Sequence, residues 1–132
     1  MNLKRLAMLI KLRKIEGTAI HHCALLLRTL KTGHIIKGYC ISPGEICEHY
    51  WVRTDEGEDL DIEFEIARLY HPELDNLKTV LMESIPENLK HVEVQTHKDN
   101  QQLYELYTTD PKTFWNECPL KIKRFNYING DR

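Results

Sequence analysis

An α+β fold is predicted, with N-terminal helices packed on a mostly antiparallel sheet. Two observations carry that expectation. Apolar residues recur at helical spacing up to about residue 31, and the period then changes to two. Gly and Pro clusters punctuate the second half at strand-like intervals, which is the pattern of helices first and sheet after. No linker and no internal repeat interrupts the pattern, so residues 1–132 read as one domain.

Met1 to Ile15 reads as the first helix, with Leu3, Leu6, Ala7 and Ile10 on one face and Met8, Leu12 and Ile15 widening it. Lys4, Arg5, Lys11, Arg13 and Lys14 take the other side, and Gly17 stops the helix. Thr18 caps a second helix running to about Lys31, with Ile20, Cys23, Ala24, Leu27 and Leu30 on one face. Thr32-Gly33 ends it, because Gly takes the left-handed conformation without a Cβ clash. Ile35 to Ile41 is a strand, Pro43-Gly44 a turn, and Ile46 to Thr54 a second strand. After a hairpin loop, Leu60, Ile62, Phe64 and Ile66 alternate with Asp61, Glu63 and Glu65. That alternation predicts a half-buried strand over 60–66, turning helical near Ala67. Thr79 to Ile85 is a strand ended by Pro86. A helix starting at Asp99 or Asn100 carries Leu103, Leu106 and Tyr107. Asp110-Pro111 then opens a short helix holding Phe114 and Trp115.

Composition excludes several classes. With 42% hydrophobic and 29% charged residues the chain is neither low-complexity nor disordered. No apolar run approaches the ~18 residues that would span a membrane, so no span is expected. Lys11 cuts the stretch Leu6 to Ile10 below the length of a secretory h-region. The cysteines are therefore expected as free thiols in an intracellular, reducing compartment, cytoplasm or nucleus. Charge is uneven. Residues 1–40 are basic (net +7), 41–110 acidic (net −12) and 111–132 basic (net +3). Mutual neutralisation within the fold and a bipolar binding surface both fit that distribution.

Three residues form a chemically suggestive series. Cys23 lies in an apolar helix, His49 on a following strand and Asp61 across the next hairpin. A thiol needs a base to become nucleophilic at neutral pH, and the base needs a third group to orient it. If Arg53 faces Asp59 across the hairpin, then Trp51 faces Asp61 and His49 sits on its diagonal, all on one sheet face. The same parity admits Asp59 and Glu63.

The stretch from Gly17 to about Ala67 resembles the transglutaminase-like branch of the papain-like cysteine hydrolases. The residues that carry the resemblance are Cys23-Ala24-Leu25-Leu26-Leu27, Gly38-Tyr39, His49-Tyr50-Trp51-Val52 and Leu60-Asp61-Ile62. The resemblance implies a transglutaminase-like core and acyl transfer on a protein or peptide-like substrate. Cys23 would attack an amide or ester carbonyl, His49 would move its proton, and Asp61 would fix the imidazole tautomer. Trp51 and His22 would neighbour the substrate. No cofactor is implied. The texture of the chain is also similar to that of proteins of large DNA viruses, which would add the virion to the locations.

The chain departs from the family pattern before Cys23, where His21-His22 replace the small residue at the helix start. If the helix begins at Thr18, Cys23 lies a full turn inside and packs as a small core residue. The domain is then a non-catalytic relative.

Other chemistries are less well matched. Cys40, Cys47 and His49, joined by His21, His22 or Cys23, could meet at a metal, but Cys40-x6-Cys47 is not a usual zinc spacing, and no metal is expected. No Gly-rich phosphate loop points to a nucleotide. The alternative to an enzyme is an interaction module using its acidic centre and basic termini. Its partner would be a protein or, through the cation–aromatic run Lys121 to Tyr127, a nucleic acid.

Overall fold

The computed structural model describes residues 2–13 and 17–117. The fold is α+β, with five α-helices and a five-stranded sheet among those residues. Helix α1 spans Leu3–Leu12 and α2 spans Ala19–Leu30. Strands β1 (His34–Ser42), β2 (Glu45–Arg53) and β3 (Asp59–Leu60) lead into α3 (Ile62–Tyr70). After them come β4 (Val80–Met82), β5 (Val94–Gln95), α4 (Lys98–Thr109) and α5 (Pro111–Glu117). Two single-turn 3₁₀ segments, Pro72–Asn76 and Glu87–Leu89, fill the connections.

Helix α1 begins where the Asn2 side chain accepts a hydrogen bond from the Arg5 N–H, at 3.1 Å. Its buried residues are Leu6, Ala7 and Ile10. Met8 and Leu12 stay exposed, so the apolar stripe is narrower than the sequence suggests. Lys11 ties α1 to α3, donating to the Leu69 carbonyl at 3.0 Å with its ammonium 4.7 Å from the Tyr70 ring centroid.

Helix α2 is the centre of the core. Ile20 and every residue from His22 to Leu27 are buried, a breadth that only a helix covered on most sides can show. Thr18 caps it, with the His21 ring accepting from the Thr18 N–H at 3.0 Å. At the other end Lys31, not a glycine, takes the left-handed C-cap (φ 69). The sheet turns Ile35, Tyr50 and Val52 toward α2, and Ile62 of α3 and Phe114 of α5 complete the same cluster.

Strand order is β3-β2-β1-β4, all antiparallel neighbours. Strand β5 also pairs with β2, in parallel, at Ile46↔Val94 and Cys47↔Gln95. The outer edge of β2 is thus shared, by β3 at Val52 and Arg53 and by β5 at Ile46 and Cys47.

The expected strand over 60–66 is a correction. Only Asp59 and Leu60 are strand, and a helix starts at Ile62. The physical reason is a cap. Asp61 accepts from the Phe64 N–H at 3.1 Å, Glu63 and Glu65 fall in the first turn, and Arg68 in the last. Ile62, Ile66 and Leu69 reach the core at i, i+4, i+7, a spacing hidden inside the apparent alternation. The expected strand over 79–85 is shorter, and the run Lys121 to Tyr127 lies outside the described residues.

Candidate functional site

The β1–β2 register is unbroken from His34↔Arg53 to Ser42↔Glu45. Side chains therefore alternate strictly. Ile36, Gly38 and Cys40 share one face with Trp51, His49 and Cys47, while Ile35, Tyr50 and Val52 point into the helical layer. Arg53 pairs with Asp59, which sets the hairpin so that Asp61 emerges beside His49.

His49 and Asp61 meet closely. The imidazole Nε2 lies 2.9 and 2.8 Å from the two carboxylate oxygens, with both side chains mostly buried (17% and 16% exposed). Because the carboxylate accepts, Nε2 carries the proton and Nδ1 is the free lone pair in the neutral ring. Asp61 serves twice, since the same carboxylate caps α3. The Trp51 ring stacks beside His49, centroids 6.2 Å apart at 28°. Trp51 is almost wholly buried because Gly38 leaves room for it. A Cβ at Gly38 would collide with the far edge of the indole and stand 2.6 Å from the Met82 carbonyl oxygen.

Cys23 is elsewhere. It is the fifth residue of α2, past the helix's unpaired N–H groups, and it is wholly buried in the cluster with Tyr50 and Val52. By alternation His49 points to the opposite face of β2, and no hydrogen bond joins the two side chains among the described residues. Burial pushes the Cys23 thiol well above its ordinary range, and the negative charges of Glu63 and Asp61 push the same way. That is the reverse of the environment that makes a thiolate.

His22 forms a second imidazole–carboxylate pair, its Nδ1 lying 2.9 Å from Glu63 Oε1, while its buried Nε2 has no hydrogen-bond partner. Its partner is thus on α3, in the first turn after the Asp61 cap. Strand parity alone admits Glu63 and Asp59 as partners of His49. Instead Glu63 serves His22, and Asp59 binds Arg53 at 2.8 Å, which holds the Asp59 carboxyl below the usual carboxylate range.

The thiols that do share His49's face are Cys40 and Cys47, directly opposite each other across β1 and β2. Both are partly exposed. They are the thiols that the sequence already groups with His49, since even positions of β1 face odd positions of β2. No three His, Cys, Asp or Glu side chains are disposed to hold a metal ion among the described residues. Nor is any helix among them long and apolar enough to cross a membrane.

No protein-family model, curated protein or solved structure matches the chain.

Proposed function

We propose that the chain is a catalytically degenerate relative of the transglutaminase-like cysteine hydrolases that acts as a protein-interaction domain through its acidic central face. The observation that carries this reading is the separation of Cys23 from His49. The thiol is sealed in the core with Tyr50 and Val52, and by alternation His49 leaves β2 on the opposite face. A nucleophile must meet both its base and a substrate carbonyl, and a wholly buried thiol without a hydrogen bond to His49 is poorly placed for either. What the arrangement retains is structural: Asp61 holds His49, caps α3 and so fixes the β2–α3 junction.

The acidic loop after β2 supports the binding half of the reading. Asp55, Glu56 and Glu58 are exposed in it, and no ion pair engages them among the described residues. A basic protein surface is the complementary partner.

The second reading, acyl transfer through Cys23, draws its support from the His49–Asp61 pair. Trapping separates the two. Incubation with an activated acyl ester, followed by mass spectrometry, should find no acyl group on Cys23. Acylated Cys23 that disappears in a His49→Ala variant would establish the enzyme instead.

A further inference from the structure

The β1–β2 hairpin carries a feature that the acyl-transfer chemistry does not use. Cys40 and Cys47 are register partners in an antiparallel pair. Directly opposed residues in such a pair have Cα atoms about 4.5 or 5.5 Å apart, and their side chains leave the sheet on the same side. Disulfides form across Cα separations of about 4.4–6.8 Å, so either spacing admits the bond without moving the backbone. Both thiols are free and partly exposed. Cys23, by contrast, is sealed.

We propose that Cys40 and Cys47 are a thiol-oxidation site that closes reversibly to an intramolecular disulfide by exchange with a small disulfide of the glutathione type. The Cys47 thiol sits at the surface, 3.7 Å from both Glu45 Oε1 and Gln95 Oε1, and is the one a bulky disulfide meets first. Cys47 gives its proton to solvent, and the thiolate attacks one sulfur of oxidised glutathione. The glutathione S–S bond breaks, a Cys47–glutathione mixed disulfide forms, and one glutathione thiolate leaves and takes up a proton. Cys40 then loses its proton and attacks the Cys47 sulfur, releasing the second glutathione. Two protein thiols are oxidised and one glutathione disulfide is reduced to two thiols.

The surroundings set the conditions. Burial pushes Cys40 up to about 11, with Asp61, Cys47 and Glu45 adding to the rise, and burial and Glu45 also raise Cys47. Both groups are therefore protonated thiols at neutral pH, and closure accelerates with pH as the thiolates appear. Closure also removes the S–H that Cys47 offers to Gln95, the residue through which β5 pairs with β2. The staple is thereby coupled to the β5 edge.

The test is to equilibrate the full chain with glutathione redox buffers at pH 8, quench with acid, alkylate and map by mass spectrometry. The expected result is a monomer lighter by two hydrogens, with Cys40 linked to Cys47. The linkage should be lost in Cys40→Ser and in Cys47→Ser, and restored to thiols by excess reduced glutathione. In Cys40→Ser, where no resolving thiol remains, the glutathione adduct on Cys47 should persist. Both thiols still free in excess oxidised glutathione, a stable glutathione adduct on Cys47 in the native chain, or a linkage through any other cysteine would each overturn the proposal.

Discussion

Trp51 could take its buried place only because residue 38 has no side chain. The indole edge and the Met82 carbonyl fill the volume that a Cβ would need, so Gly38→Ala must displace one of them. We expect that variant to lose about 1–3 kcal/mol in urea unfolding, the usual cost of overpacking a tight site. An unchanged midpoint would mean that Trp51 is not held as described. Cys40 provides a second check at this scale. With its thiol pushed up to about 11, its alkylation rate should rise about tenfold per pH unit between 7 and 9 and continue upward beyond pH 9. The stability its proton contributes is present below the ordinary thiol range and lost as pH climbs toward 11. Part of the site is legible in the sequence. Arg53 facing Asp59 sets the hairpin and brings Asp61 beside His49. Asp61 arrives, however, as the cap of α3 and not as a strand partner of Trp51, and the fit of Gly38 to Trp51 has no sequence signal. The fate of Cys23 turns on whether the helix begins at Thr18. The Thr18 cap that the sequence suggests places Cys23 a turn inside and in the core, against the family resemblance that makes it a nucleophile.

At the scale of elements, the β2–α3 junction concentrates the structural roles. Asp61 caps α3 and binds His49, and these roles can be separated. Asp61→Asn keeps a capping oxygen while removing the charge, whereas Asp61→Ala removes both. We expect the alanine variant to be less stable than the asparagine variant by about 1 kcal/mol, measured by chemical denaturation. Equal stabilities would mean that the cap contributes nothing. This junction is also where the sequence pattern misleads. Leu60, Ile62, Phe64 and Ile66 alternate as a strand would, yet Ile62, Ile66 and Leu69 equally fit a helix. Local periodicity could not choose between them, and the Asp61 cap with its acidic first turn did. Strand β5 left almost no signal, since two residues are too few to show a period.

Across the whole molecule, the charge asymmetry survives folding. The basic helix α1 packs on α3, but its tie there is to a backbone carbonyl and an aromatic ring. The acidic middle instead pairs largely with its own cations, Arg53 with Asp59 and Glu83, and Arg68 with Glu65 and Asp75. Asp55, Glu56 and Glu58 remain exposed. A fluorescent oligolysine peptide should therefore bind at low salt, weaken as salt rises, and bind less well to a variant with all three changed to Lys. Equal binding by both proteins would remove the acidic loop from the interface. The proposed function rests on a fold that holds a His49–Asp61 pair and buries Cys23. The pH dependence of Cys23 alkylation in the native protein, with and without His49→Ala, tests that reading most directly. Cys23 should be the slowest of the described thiols, should react only on unfolding, and should ignore the loss of His49. Fast alkylation of Cys23 near pH 6 that slows in the His49→Ala variant would show a thiolate–imidazole pair and contradict it.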